Sequence, residues 1–368
     1  MSTNVAETEV EERPIDLKRS GRLWPSSLEV LRRWSQRNGL FYAVIGLCVL
    51  FAVDRSRFLS TQNIEVILLQ VSVVGLVAVP GAMLILCGYV DLSVGSVSVL
   101  ASMAFGILVQ NDHVSSLLGV VFCLMIGTAY GLFQGVTISY FGLSPIVVTL
   151  GGLAGVRGLA EYISKGMTQF GFGAGFDELG NGKVAGIPIP VLIAAVAFII
   201  GAYVWYQMPY GKRMAAIGSD KTVANSLGIS VKRIPLVLYV VSGLCSALAG
   251  LILTAQLDAT SLSIGVNFEL QVLTAILLGG VAFVGGRGSL FGVLMGVLFV
   301  GVLDNGLVVI GVSPFLSDVA VGAALVCAAA LDILYQRLDR VVIEASASGS
   351  SAARRPFASR SRRQENER

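Results

Sequence analysis

The chain has 368 residues, of which 55% are apolar and 13% are charged, and its formal net charge is +3. A soluble domain has about 25% charged residues, so half of the usual charge is missing. Residues 1–37 and 337–368 hold 25 of the 49 charged residues. This composition excludes a soluble enzyme, a disordered protein and a nucleic-acid binder, and it indicates a chain that is solvated mostly by lipid.

Long apolar runs fill the region between the charged ends. A helix needs about 20 apolar residues to cross a membrane. In chain order the predicted crossings are 38–53, 66–90, 92–111, two within 114–156, 184–211, 234–257, 270–286, 288–310 and 316–335. We therefore predict an all-α polytopic membrane protein with about ten transmembrane helices. Eight crossings stay possible if the shorter runs are re-entrant or lie at the interface.

Basic residues set the predicted orientation, because short loops rich in Lys and Arg stay in the cytoplasm. Such residues precede the first crossing, follow the last one, and supply five positive charges to a polar loop at about 209–234. We therefore predict cytoplasmic N- and C-termini. The predicted organisation is a cytoplasmic segment 1–37, a transmembrane domain 38–336, and a cytoplasmic tail 337–368 that we expect to be disordered.

Signs of catalytic chemistry are missing from the sequence. The five cysteines lie inside apolar runs without metal-ligand spacing, and the single histidine, His113, sits at a predicted outer turn. The chain has no phosphate-binding loop, HExxH motif or GxSxG motif. We therefore expect no catalytic residue, bound cofactor or metal. Energy from ATP, if used, must come from another polypeptide.

The polar loop 209–234 contains a predicted helical unit. Asp220 can cap a short helix that runs from Lys221 to about Leu227, and Gly228 can end it. A compact polar helix between two crossings favours a docking site that is touched from the cytosol. An interfacial connector is the alternative, and both interpretations stay open.

At this loop the sequence resembles the permeases of ABC importers, specifically the ribose/xylose-type sugar permeases of type II importers. The matching stretches outside the loop are Gly88–Ser96, Ile146–Gly151, Val156–Gly158, Leu278–Gly280 with Gly285–Ser289, and Asn305–Leu307. They occur in the family's order, and the resemblance runs from about residue 68 to residue 334. It therefore covers most of the predicted transmembrane permease domain.

The resemblance implies a bacterial inner-membrane subunit that imports a monosaccharide or related polyol and is not itself an enzyme. Its implied partners are a second copy of itself, membrane lipid, a cytoplasmic ATPase that uses ATP and magnesium, and a periplasmic or lipid-anchored sugar-binding protein. The identity of the sugar stays open. An ion-coupled secondary transporter is the alternative, and it needs an essential buried acid, for which Asp91 is the candidate that the sequence offers.

The resemblance also implies an ATPase-coupling loop within 209–234. Thr222-Val223-Ala224 stands where the general importer loop has Glu-Ala-Ala, so only Ala224 and Gly228 carry over. The full predicted coupling set is Gly218, Asp220, Ala224, Gly228 and Ile229.

A second set of polar residues gives a candidate translocation path. Its members are Asp91, Ser93, Ser96, Gln134, Thr149 and Asn305. Asp91 has two open interpretations, as the N-cap of the following helix or as a residue that lines the path. Gln134 belongs to a polar stripe with Tyr130 and Thr137, which either packs between helices or lines a pore.

Overall fold

The computed structural model describes residues 27–313, 315–327 and 330. Contacts divide the chain into a short unit, Met1–Gly39, and a large unit, Leu40–Arg368. The candidate sites described below lie in the large unit. The predicted tail 337–368 and most of the predicted segment 1–37 lie outside the described residues, so the domain boundaries stay predictions.

Helices dominate the described part of the chain. They are α1 Ser27–Asp54, α2 Thr61–Leu86, α3 Val94–Gly106, α4 Ser116–Ser139, α5 Pro145–Ser164, α6 Ala174–Asn181, α7 Ile189–Ala202, α8 Pro209–Ser219, α9 Lys221–Ser226, α10 Arg233–Leu257, α11 Phe268–Leu278, α12 Leu290–Val309 and α13 Phe315–Cys327. Short π-helical turns extend α3 and α7. A two-stranded antiparallel hairpin, β1 Lys183–Val184 with β2 Ile187–Pro188, precedes α7. The all-α prediction is confirmed.

Seven of the described helices are long and apolar enough to cross a membrane. They are α2, α3 with its π turn, α4, α5, α7 with its π turn, α10 and α12. Three shorter apolar helical stretches coincide with the first, eighth and tenth predicted crossings. They are the part Gly39–Asp54 of α1, and the whole of α11 and α13. The multi-pass prediction is confirmed, and the count of ten stays a prediction.

Three predicted crossings have clearly different bounds in the structure, and one of them, 66–90, forms the helix Thr61–Leu86. The run 184–211 does not begin as a helix, because its first residues form the β hairpin and Gly186 adopts a positive φ of 82° in the turn. The run 270–286 is helical only to Leu278, because Gly280 has a φ of 80°, which a right-handed helix cannot contain.

The helix ends form two groups. The turn after α2 meets the turn between α11 and α12, where Gly286 N–H donates to the Leu86 carbonyl over 2.9 Å. The α8–α9 unit lies at this same end, which we call the coupling end. At the opposite end Phe170 bridges to Ala259. Every second connection between consecutive helices therefore lies at the same end of the bundle, as the predicted alternation of crossings requires.

Helix α3 is the centre of the bundle. Every residue from Val94 to Gly106 is buried, and the helix packs against α10, α5 and α4. Its hydroxyls bond across the helix interfaces: Ser98 Oγ donates to the Ser246 carbonyl over 2.7 Å, and Thr254 Oγ1 lies 2.7 Å from Ser102 Oγ. Small residues and interhelical hydrogen bonds are the usual means of helix association in lipid.

Glycines bring α4 and α10 into close contact. A Cβ on Gly127 would overlap the Gly243 carbonyl oxygen, and a Cβ on Gly131 would overlap the Tyr239 carbonyl oxygen. Gly243, Gly250, Gly279, Gly292 and Gly296 make the same kind of close contact, because an added Cβ at each would overlap a backbone carbonyl oxygen. Gly280 differs from them, because it has open space beside it and serves the turn after α11.

We expect Gly131→Ala to lower the free energy of unfolding by about 1–3 kcal/mol, because the added methyl group forces α4 away from α10. Gly155→Ala is the matched control, since Gly155 lies on α5 with nothing within 4 Å of an added Cβ. Thermal unfolding of both variants in detergent measures the difference. Equal melting temperatures would contradict the close packing of α4 on α10.

Candidate functional site

A cluster of polar side chains surrounds the carboxylate of Asp91, just before α3 at the coupling end. Asp91 Oδ1 accepts hydrogen bonds from the Ser93 backbone N–H over 3.0 Å and from Gln134 Nε2 over 2.9 Å. Ser93 Oγ lies 2.6 Å from the same oxygen. Ser242 Oγ donates to Asp91 Oδ2 over 2.7 Å. These four residues, the Asp91 cluster, tie the start of α3 to α4 and α10.

The interpretation of Asp91 as the N-cap of α3 is wrong, because Ser93 occupies the N-cap position. The helix begins at Val94, its N-cap residue is Ser93, and the Ser93 side chain makes no capping bond. The Asp91 carboxylate reaches the Ser93 N–H from two residues upstream, while its other bonds go to α4 and α10. Its role in the structure is therefore to join three helices.

The other predicted path residues lie apart from this cluster. Ser96 Oγ donates to the Leu153 carbonyl over 2.6 Å and so links α3 to α5. Thr149 is fully buried on α5. Asn305 lies near the opposite end, where its Oδ1 accepts from Asn63 Nδ2 over 2.9 Å. The structure therefore brings together Asp91, Ser93 and Gln134 out of the six predicted residues.

The predicted polar stripe on α4 separates into different environments. Gln134 is only 1% exposed and bonds within the Asp91 cluster. Thr137 instead bonds to the Phe133 carbonyl of its own helix. The arrangement of Gln134 favours helix packing over pore lining in this conformation, because its amide is engaged between α3 and α4.

The coupling loop forms the helical unit that the sequence predicts. Asp220 Oδ1 accepts from the backbone N–H groups of Thr222 and Val223 over 2.7 and 3.0 Å, which is the geometry of an N-cap. At the other end of α9, Gly228 N–H bonds to the Asn225 carbonyl and has a φ of 74°. The predicted cap and the glycine stop are both confirmed.

The α8–α9 unit is anchored on one face and exposed on the other. Ala224 is 1% exposed and joins the main apolar core, which Ile229 also contacts. Val223 and Leu227 lie four residues apart and are 55% and 72% exposed. Gly218, near the end of α8, packs against backbone, because a Cβ there would overlap the Leu86 carbonyl oxygen. The unit therefore presents an apolar face outward from a fixed base.

Comparison with known proteins places the chain in a family of transport proteins. Residues 63–329 match the family described as branched-chain amino acid transport system / permease component. The chain belongs to this permease family. No solved structure matches it.

Named relatives of the permease match over most of its length. It is 35% identical over 300 residues to the ribose import permease protein RbsC of Bacillus subtilis, covering 81% of this chain and 92% of the relative. It is 32% identical to the D-allose transport system permease protein AlsC of Escherichia coli, covering 83% and 93%. It is 31% identical to the L-arabinose ABC transporter permease protein AraH of Azospirillum brasilense, covering 83% and 89%.

Sequence reasoning missed two polar features of the permease. Ser242 completes the Asp91 cluster, and a signal was present, because Ser242 and Ser246 repeat at helical spacing inside an apolar run. Glu269 lies in the first turn of α11 and faces α3, where a Cβ on Gly95 would overlap its carboxylate. Among the described residues, no donor lies within hydrogen-bond distance of Glu269 Oε2. Asp91 is therefore not the only partly buried acid in the bundle.

Proposed function

We propose that this permease is the transmembrane subunit of an ATP-driven ABC importer for a monosaccharide or related polyol. The observation that carries the proposal is the α8–α9 unit, an anchored helical projection with an exposed apolar face at one end of a membrane bundle. Such a face is suited to receive a cytoplasmic ATPase, and the orientation of basic loops supports its cytoplasmic location. Hydrolysis then belongs to the partner, which would bind ATP and magnesium.

The proposed cargo follows from the relatives. The names of these relatives refer to ribose, D-allose and L-arabinose, whereas the family description refers to branched-chain amino acids. The relatives match nearly their whole length, so they support a sugar more strongly than the broader description supports an amino acid. Delivery would come from a periplasmic or lipid-anchored sugar-binding protein.

The proposed surroundings are lipid and a second copy of the permease. Large apolar side chains are exposed along the outer helices, among them Leu117, Phe122, Val147, Ile199 and Val237. In a membrane such side chains contact lipid tails or another helix at no cost in hydration. Two copies would give the ATPase two α8–α9 units, and alternating access would follow from their movement relative to each other.

Uptake into proteoliposomes tests this function. The permease is reconstituted with a candidate ATPase and sugar-binding protein from the same organism, and labelled ribose, allose, arabinose and leucine are offered with and without ATP. We expect ATP-dependent uptake of a sugar. Uptake of leucine alone would contradict the proposed cargo. Sugar uptake driven by a proton or sodium gradient without ATP would contradict the ABC mechanism.

Leu227→Asp tests the docking face of α9. Leu227 is 72% exposed, so we expect the variant to fold but to lower ATPase binding at least about tenfold, because a charge replaces an apolar side chain on the proposed docking face. Leu143→Asp is the matched control, since Leu143 is also exposed and follows α4. Co-purification and stimulated ATP hydrolysis measure binding. Equal loss in both variants would contradict docking at α9.

A further inference from the structure

Three backbone turns meet at the α8–α9 unit, namely the turn after α2, the turn between α11 and α12, and the last helical turn of α8. Gly286 N–H donates to the Leu86 carbonyl over 2.9 Å, and a Cβ on Gly218 would overlap that carbonyl oxygen. A Cβ on Gly285 would lie 2.9 Å from Gly88 N and 3.1 Å from Gly218 Cα. We call Gly88, Gly218, Gly285 and Gly286 the three-turn junction. Contact between bare backbones leaves little room for the turns to slide past one another.

A cation and an aromatic ring form a second contact at this place. Lys221, the first residue of α9, holds its Nζ 4.1 Å from the ring centroid of Tyr89. Tyr89 is 9% exposed, and its ring packs edge-on against Tyr239 at a centroid separation of 6.4 Å. Lys221 is exposed as a whole residue, and partial burial of its ammonium group lowers its pKa. Desolvation strengthens the attraction between a cation and a ring.

The segment that Lys221 contacts leads directly to the Asp91 cluster. Tyr239 O–H donates to the Val90 carbonyl over 3.0 Å, which fixes the backbone one residue before Asp91. Asp91 then bonds to Gln134 of α4 and Ser242 of α10. Only Val90 separates Tyr89, whose ring contacts the Lys221 ammonium group, from Asp91, whose carboxylate joins the helices. A displacement of Tyr89 therefore changes the position of Asp91 directly.

We propose that Lys221 and Tyr89 are positioning residues that make α9 and residues 88–91 move as one unit. Movement that the ATPase imposes on α9 then reaches the Asp91 cluster, and from there α3, α4 and α10. The three-turn junction supplies the rigid backbone contact, and the Lys221–Tyr89 contact supplies the side-chain link. This inference rests on the proposed function, because it assigns a route to coupling between the ATPase and the transport pathway.

Sugar uptake and ATP hydrolysis, measured in parallel in the complete reconstituted transporter, test the inference. For Lys221→Met we expect the ratio of sugar taken up to ATP hydrolysed to fall about fivefold, the lower end of typical coupling between sites. Lys221→Arg and Tyr89→Phe keep a cation and a ring, so we expect both to retain the ratio of the unmodified permease. Tyr89→Leu is expected to lower the ratio as Lys221→Met does.

Two controls separate coupling from a general loss of structure. Lys232→Met removes a cation from the same loop, where Lys232 Nζ lies 5.6 Å from the ring centroid of Tyr140, an aromatic residue outside residues 88–91. We expect this variant to retain the ratio. In the double variant Lys221→Met with Tyr89→Leu, the ratio of sugar taken up to ATP hydrolysed should be no lower than in the more impaired single variant, because both changes remove the same contact. Thermal unfolding identifies any variant that is misfolded.

Several outcomes would overturn the inference. A normal ratio in Lys221→Met would do so, as would failure of Lys221→Arg to restore coupling or an equal effect of Lys232→Met. If Tyr89→Leu unfolds, the three Lys221 and Lys232 variants still decide the question. Absence of ATP-driven uptake by the unmodified permease would instead contradict the proposed function, and the inference with it.

Discussion

Asp91→Ala is expected to abolish uptake and to lower the free energy of unfolding by about 3 kcal/mol. The alanine leaves the Ser242 hydroxyl, the Gln134 amide and the Ser93 N–H without the acceptor that joins them. Hydrogen bonds to a charged group contribute about 1.5–3 kcal/mol each, and a buried donor without a partner is costly. Because these donors lie on three helices, the loss also frees α3, α4 and α10 from one another.

Asp91→Asn separates the hydrogen-bonding role from the charge. The amide oxygen can accept the bonds that Oδ1 accepts now, and the amide NH2 can donate to Ser242 Oγ. We therefore expect Asn to retain uptake within about threefold, since one hydrogen bond rearranged costs about 0.5–1 kcal/mol.

Uptake by proteoliposomes and thermal unfolding in detergent measure both variants. Asp112→Ala is the control, because Asp112 is an exposed aspartate at the other end of α3. Complete loss of uptake in a well-folded Asp91→Asn protein would contradict the hydrogen-bonding role and favour one that depends on the charge, as an ion-coupled transporter needs.

The parts of this fold that sequence predicted correctly are determined by neighbouring residues. Asp220 caps α9 through N–H groups two and three residues away, and Gly228 ends it through bonds to the preceding turn. Composition also predicted the long apolar helices, because each needs only enough consecutive apolar residues to span lipid. Interactions between residues that are close in sequence therefore predict the α8–α9 unit and most of the crossings.

The composition of the Asp91 cluster was only partly predictable, because its members are distant in sequence. Ser242 lies 151 residues from Asp91, and nothing in either local pattern pairs them. The capping interpretation failed for the same reason: local pattern supports Asp91 as an N-cap, whereas bonds to α4 and α10 decide where its carboxylate lies. The Asp91 carboxylate lies where it satisfies the donors of Gln134 and Ser242, because buried polar groups need hydrogen-bond partners.

The contacts of the glycines also divide into those that local sequence leads one to expect and those that depend on residues distant in the chain. Gly243 and Gly250 pack against backbone carbonyls of neighbouring helices, which is the usual role of small residues in membrane helices. The sequence could not show that Gly218, Gly88 and Gly285 meet at one place, since they belong to three connections far apart along the chain. Their meeting explains why a loop and two turns, each weakly informative alone, all carry glycine.

Gly218→Ala is expected to lower uptake at least about tenfold and to destabilise the permease by about 2–3 kcal/mol. Gly218 lies in α8, where helix propensity alone favours alanine by about 1 kcal/mol. The new methyl group, however, would overlap the Leu86 carbonyl oxygen and crowd Gly286 N, the two groups that bond to each other. Steric overlap and the lost hydrogen bond together exceed the gain in propensity, so the sign is destabilising.

Gly151→Ala is the matched control, and the same reasoning gives it the opposite sign. Gly151 lies within α5 and an added Cβ meets nothing within 4 Å, so propensity acts alone and should stabilise by up to about 1 kcal/mol. Thermal unfolding gives the two signs, and uptake with ATP hydrolysis shows whether coupling fails with the junction. If Gly218→Ala is stabilised as much as Gly151→Ala, the turns do not meet at Gly218, and the backbone route from α9 to α2 is wrong.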